Sequence, residues 1–454
     1  MSSRWTNVED DAALDAQRKK QKEEKRRLKE EKQRKLDAEK AEKAAREQHT
    51  AEEASEPPKK RRRTASPDYE VVAEDAHLLE FPTPTFGPSR SLDLYEVLNN
   101  IEEGSYGFVS RAKHKSSGEV VALKRLKVDH NNNHEGFPVT GLREIQTLRA
   151  CPHPHIVKLR EVIVGPGPVQ DVYIVMDFLE HDLKTILEDM DDPFSPSETK
   201  TLMLQLCSTT EYLHSNWIMH RDLKTSNILL NNRGEIKLAD FGMARYTGNP
   251  RPKLTQLVVT LWYRAPELLL GAEDYGFEID VWSIGCIFAE LLTREPVFQG
   301  KTEVSQLSAI FSLLGAPTRE SWPDFRSLPN AKAFDPVLSS SAYRMSSLNA
   351  SKSPYLTKAG LRLLSSMLSL NPEGRPSASQ LLQHPYFRED PRPKAKEMFP
   401  TFPSKAGQER RRRRHTPQAP DRGDAPKMGA EDVASMFSKT EEEQQGGGFA
   451  LRMG

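Results

Sequence analysis

The chain has 454 residues, 65 of them basic and 65 acidic, so its zero formal net charge gives no bulk attraction to nucleic acid. Cys151, Cys207 and Cys286 are widely separated, without CxxC or metal-ligand spacing, and read as reduced packing residues of an intracellular protein. The charged N-terminus argues against a secretory signal, and no run approaches the ~18–20 apolar residues that span a bilayer.

Residues 8 to 55 are dominated by Lys, Glu, Arg, Asp, Ala and Gln. Helix propensity is high there, but Leu28 and Leu36 stand nearly alone and no heptad seam forms, so a solvated helix or disordered arm is expected. The compact basic run Lys59–Arg63 after Pro57-Pro58 suits a nuclear-import receptor or a phosphate backbone, against the plain alternative of a solvated charge run. Pro82, Pro84 and Pro88 mark a linker.

From Leu94 the pattern changes. Short β-type runs (Leu94–Val97, Gly107–Val109, Val120–Leu123, Tyr173–Met176) precede longer helical ones (Leu202–His214, Val281–Leu292). A strand-rich half followed by a helix-rich half predicts two lobes with a cleft between them. The expected domains are a charged arm over 1–91, a catalytic domain over 92–390 and a polar tail over 391–454. That tail carries the arginine block 410–414 and Gly446–Gly448, and disorder is expected on both flanks, with only short docking pieces ordered.

Phosphoryl transfer needs positioning and charge neutralisation more than covalent chemistry, so its parts are a phosphate cover, a lysine, metal-binding acids and a base. Gly104-Ser105-Tyr106-Gly107-Phe108-Val109 between two β-runs could be the cover, although Glu102 occupies the place of the first glycine in GxGxxG. A plain hairpin would read the same. Val121-Ala122-Leu123-Lys124 puts a lysine on a strand, with Glu144 downstream at a distance suited to pairing. The string His220-Arg221-Asp222-Leu223-Lys224-Thr225-Ser226-Asn227, followed by Asp240-Phe241-Gly242, is far more specific. Ala265-Pro266-Glu267 and Arg375 complete the series as an expected ion pair, and Asp280 is expected to brace the catalytic-loop backbone.

These motifs resemble those of eukaryotic protein kinases. The resemblance implies an α+β, bilobal fold with a small β-rich N-lobe and a larger helical C-lobe. It implies ATP and Mg²⁺ as cofactors, Asp222 as the base for the acceptor hydroxyl, and Lys224 as neutraliser of γ-phosphate charge. Asn227 and Asp240 would hold the metal, and Lys124, paired with Glu144, would bind the phosphates. The ATP site would comprise Ile101, Glu102, Glu103, Gly104, Ser105, Tyr106, Gly107, Phe108, Val109 and Lys124, with Asp177 and Leu179 at the hinge and Asp182 near the ribose. Lys224-Thr225 marks serine/threonine specificity. Arg143, Arg221 and Arg245 would converge on a phosphate carried by Thr255. Ser105 and Tyr106 are candidate inhibitory phosphosites.

Thr260–Leu269, TLWYRAPELL, is similar to cyclin-dependent kinases and implies a pocket for proline after the acceptor, lined by Val258, Val259 and Arg264. Leu257 stands where a mitogen-activated kinase has tyrosine. Pro138–Glu144, PVTGLRE, resembles the PITSLRE signature of the cyclin-dependent kinase 11 family, as do Ile101–Gly104, Glu180–Lys184 and Met398–Pro403. It departs at Gly141, where the signature has serine, and at Met243, where leucine is usual. The family implies an L-type cyclin partner, inactivity of the isolated chain because the Arg143–Glu144 helix swings out, and Ser/Thr-Pro substrates. It also implies roles in nuclear transcription, pre-mRNA splicing and cell-cycle control, with a cytoplasmic pool as an alternative. A PISSLRE-type kinase and a non-catalytic nuclear scaffold are the rival readings. Ser66-Pro67 and Thr416-Pro417 are candidate self-targets.

Overall fold

β-branched and aromatic side chains recur along the first part of the catalytic region and make strands there. The structure is a computed structural model that describes residues 89–104, 107–126, 138–166, 171–248, 254, 260–331 and 356–403. The charged arm, both basic runs, the glycine triplet, the candidate self-targets, Ser105, Tyr106, Thr255, Val258 and Val259 lie outside the described residues.

Six strands form the first sheet: β1 (Arg90–Ser91), β2 (Tyr95–Gly104), β3 (Gly107–His114), β4 (Val120–Leu126), β5 (Leu159–Val164) and β6 (Val172–Asp177). Their order is β1-β5-β6-β4-β3-β2, with antiparallel pairing except between β1 and β5. Strand alternation sorts the side chains of β4. Val121 and Leu123 enter a small core with Tyr95, Ala112, Ile163 and Val175. Lys124 and Leu126 face the other way, toward helix α1 (Val139–Ala150).

The second half is mainly helical. After β7 (His181–Asp182) come α2 (Leu183–Asp189) and α3 (Pro196–Ser215). A capping box between Ser195 and Glu198, with Pro196 at the first helical position, fixes the start of α3. Short strands β8 (Ile218–Met219), β9 (Ile228–Leu230), β10 (Ile236–Leu238) and β11 (Arg245–Tyr246) carry the loops between them. They pair as a three-stranded sheet, β10-β9-β7, and a two-stranded one, β11-β8. Helices α4 (Pro266–Leu269), α5 (Glu278–Thr293), α6 (Glu303–Leu314), α7 (Lys358–Met367) and α8 (Ala378–Leu382) follow. Apolar residues surround α5 on all sides, and its Trp282, Ile284, Ile287 and Phe288 are fully buried. That buried axis supports the loops that carry the polar motifs.

All three cysteines are free and buried. No described helix is long and apolar enough to cross a membrane.

Candidate active site

Each polar motif lies in a loop or strand end held by buried neighbours. The β2–β3 hairpin pairs Glu102 with Val109 and Gly104 with Gly107. Gly107 is needed for packing as well as for any ligand, since a Cβ there would sit 2.2 Å from the Arg125 carbonyl oxygen. Glu102 and Glu103 occupy this strand, Ile101 and Val109 are half-buried, and Phe108 is exposed.

Lys124 Nζ lies 2.7 and 2.8 Å from the two carboxylate oxygens of Glu144 and 2.9 Å from Asp240 Oδ1. Burial alone would push the lysine down, but the Asp240 and Glu144 carboxylates hold it above its ordinary value. Burial raises Glu144, partly offset by Lys124. Asp240 is lowered, because the lysine outweighs burial. The helix that the family resemblance expects to swing out in the isolated chain is therefore swung in here, with Glu144 1% exposed.

Asp222 stands at the centre of a second cluster. Its Oδ1 accepts from Thr260 N (3.1 Å) and Thr260 Oγ1 (2.9 Å). Its Oδ2 lies 3.0 Å from Lys224 Nζ and 3.2 Å from Asn227 Nδ2. Lys224 also donates to Thr260 Oγ1 at 3.0 Å. The loop bearing Asp222 is braced from below by Asp280, as expected: its carboxylate accepts the backbone N–H groups of His220 and Arg221, each at 2.9 Å. Burial opposes that charge, but His214 beside it keeps Asp280 below its usual range. Arg221 at φ +64° and Asp240 at φ +61° are left-handed non-glycine residues, a cost that tertiary contacts must offset.

Asp240 Oδ2 and Asn227 Oδ1 accept no hydrogen bond among the described residues, so both retain lone pairs for a cation. No cluster of three or more His, Cys, Asp or Glu forms a metal cage among the described residues. A hard divalent ion held by one or two protein oxygens and completed by substrate phosphates needs no such cage.

The expected Glu267–Arg375 pair is present and bidentate, at 2.6 and 2.8 Å. Arg221, Arg143 and Arg245 do come together: burial and then the other two cations lower Arg143, and Arg245 is among the groups that lower Arg221. Arg221 is otherwise occupied, donating to the Met243 carbonyl (2.9 Å) and to Tyr275 Oη (2.8 Å). Arg245 Nε is buried with no partner among the described residues.

Four expected residues sit differently from a simple lining role. Arg264 is 3% exposed and paired with Glu303 at 2.7 Å, so it anchors the segment rather than presenting a pocket surface. Asp182 is the N-cap of α2, accepting from the N–H and hydroxyl of Thr185, both at 2.8 Å. Asp177 holds Arg160 (3.0 Å) and Lys237 (3.1 Å), which fix the end of β6, and Leu179 is buried.

Sequence reasoning missed the parts played by Thr260 and Glu290. Glu290 accepts from Tyr263 Oη (2.7 Å) and Thr225 Oγ1 (2.9 Å), bridging the residue beside Lys224 to the turn that follows Thr260. Burial pushes it up to about 7. A carboxyl within the apolar run of α5 was the available signal.

The family model for the protein kinase domain matches residues 95–387. The chain is 55% identical over 325 residues to serine/threonine-protein kinase ppk23 of Schizosaccharomyces pombe, covering 71% of this chain and 80% of that protein. It is 50% identical to cyclin-dependent kinase G-2 of Oryza sativa subsp. japonica over 73% of this chain, and 47% identical to cyclin-dependent kinase 11B of Mus musculus over 75%. Those matches span 46% and 42% of the rice and mouse proteins, less than half of their lengths. The chain belongs to the protein kinase family, in its cyclin-dependent-type serine/threonine branch. The family uses ATP and a divalent metal, which the free oxygens of Asp240 and Asn227 fit.

Proposed function

We propose that the chain transfers the ATP γ-phosphoryl group to serine or threonine followed by proline, in nuclear proteins of transcription and pre-mRNA splicing, when an L-type cyclin is bound. The catalytic domain is read as residues 92–390, and the ion as Mg²⁺. One observation carries the reading: Asp222, Lys224 and Thr260 converge within 3.1 Å of one another, next to a closed Lys124–Glu144–Asp240 cluster.

In this reading Asp222 takes the proton of the acceptor hydroxyl. Thr260 fixes one carboxylate oxygen and Asn227 steadies the other, so the base is oriented before substrate arrives. Lys224, beside it, offsets charge that develops on the transferred group, and Lys124 holds the phosphates. Bound Mg²⁺ would supply charge neutralisation on the phosphates, held by Asp240 and Asn227. Glu144 keeps Lys124 in place.

Cyclin control is supported by α1, where Val139 and Leu142 are 54% and 52% exposed, five and two residues before Glu144 on the same helix. Nearby apolar side chains offer a partner a direct hold on the ion pair. Convergence of Arg143, Arg221 and Arg245, with the unpartnered Arg245 Nε, supports a phosphate on Thr255 as a second control. The basic runs 59–63 and 410–414 support a nuclear location.

Purified full-length chain, with and without an L-type cyclin, offered Ser-Pro and Ser-Ala peptides, tests this. Rapid transfer is expected only to Ser-Pro and only with cyclin. Full-rate transfer by the chain alone, or equal rates on both peptides, would overturn it.

A further inference from the structure

The matched kinase region ends at Phe387, yet the described chain runs on to Pro403 and is tied down along its course. Lys200, with no exposed surface, donates to the carbonyls of Glu389 (2.9 Å) and Pro391 (2.8 Å). Thr201 Oγ1 donates to the Lys394 carbonyl at 2.6 Å, and Lys394 Nζ meets Glu198 at 2.8 Å. Lys396 then pairs with Glu235 at 2.7 Å. Gly234, at φ +70°, lies so close that a Cβ would be 2.6 Å from the Lys396 carbonyl oxygen and 2.7 Å from the Phe399 ring. Last, the Asn232 side chain grips the backbone of Phe402 twice, accepting its N–H at 2.8 Å and donating to its carbonyl at 3.2 Å.

The end point of this segment is informative because cross-strand partners share a sheet face. In the β10-β9-β7 sheet, His181, Leu230 and Ile236 share one face, while Asp182, Leu229 and Lys237 share the other. Phe402 sits on the first, its ring 6.0 Å from that of His181 and 6.2 Å from that of Phe194. The second carries Asp182 and half-exposed Leu229, and Lys237 reaches from it to Asp177 at 3.1 Å. One thin sheet thus has the tail on its back and the hinge and ribose-side residues on its front.

We propose that residues 388–403 form a positioning strap for the nucleotide side of the cleft, anchored by Phe402 and Asn232. This rests on the reading of Asp177–Asp182 as the nucleotide-facing edge given above. Loosening the anchor frees the β9–β10 hairpin and shifts Leu229, Asp182 and Lys237 against Asp177. The acceptor-side cluster at Asp222 is held separately, by Asp280 and Thr260, and keeps its geometry.

The test uses the full-length chain with its cyclin and compares wild type with Phe402→Ala, Asn232→Ala and the apolar replacement Phe402→Leu. KM for ATP should rise by roughly three- to tenfold in the two alanine variants, with kcat and peptide KM within about twofold. Phe402→Leu should recover most of the loss. Direct titration with a fluorescent ATP analogue should weaken in parallel, a readout that needs no turnover. Unchanged nucleotide affinity in both alanine variants, or a loss of kcat that follows thermal stability with no selective ATP effect, overturns the strap. A wild type that binds no nucleotide instead overturns the reading of the cleft.

Discussion

Lys124 and Glu144 form a bidentate ion pair whose side chains are only 8% and 2% exposed, and Asp240 closes on the same ammonium. One cation between two carboxylates joins strand β4, helix α1 and the loop after β10. Any rotation of α1 must break this contact, so the helix is a natural point of control.

Glu144→Gln keeps the shape of the side chain and removes its charge. Turnover with cyclin should fall by roughly 10- to 100-fold, because Lys124 is then drawn to Asp240 alone and away from the phosphates. Steady-state kinetics of purified complexes would show this. A wild-type rate would mean that the pair is structural only.

Gly141 lies one helical turn before Glu144, and Leu126 lies two residues after Lys124 on the same strand face. A Cβ at Gly141 would come within 2.8 Å of Leu126 Cδ1 in a buried contact. Gly141→Ser gains up to about 0.5 kcal/mol of helix propensity but meets about 1–3 kcal/mol of overpacking, so stability should fall. Leu126→Val in the same chain should restore it, which denaturant titration of single and double variants would measure. A Gly141→Ser protein as stable as wild type would show that Leu126 simply turns aside.

Arg375 and Glu267 are buried together, at 0% and 4% side-chain exposure. Arg375→Met strands a carboxylate inside the helical lobe, so unfolding should require about 3–5 kcal/mol less. Adding Glu267→Gln should return part of this. Equal stability of single and double variants would contradict a coupled pair.

Glu290 gives a pH dependence. Its folded value, raised by burial to about 7, exceeds the ordinary glutamate value, so the folded protein holds a proton that the unfolded chain has released. Stability should therefore fall as pH rises from near 4.5 toward 7, by about 3 kcal/mol at roughly 1.4 kcal/mol per unit, and level off above. Glu290→Gln should flatten that slope. Parallel profiles for wild type and variant would show that Glu290 does not titrate in this window.

The parts legible in the sequence were those whose chemistry requires neighbours along the chain. Asp222, Lys224 and Asn227 share one loop, so their spacing is fixed locally and readable. Strand alternation made Lys124 readable, and its partner 20 residues on lay within one strand-to-helix connection. Thr260 was not legible, because it meets Asp222 across 38 residues of sequence and threonine carries no distinctive chemistry. Glu290 closes on Thr225 across 65 residues, a contact made only when α5 is buried. Arg264 was read as lining the proline pocket because nothing in a linear pattern shows that Glu303, 39 residues later, faces it.

The most direct test of phosphoryl transfer through Asp222 is single-turnover transfer from ATP to a Ser-Pro peptide by the cyclin-bound chain, comparing wild type with Asp222→Asn. Asparagine keeps an oxygen for Thr260 but cannot take a proton. The variant should bind ATP and melt like wild type while its transfer rate drops by roughly 10²- to 10⁴-fold. Transfer at the wild-type rate would contradict Asp222 as the base.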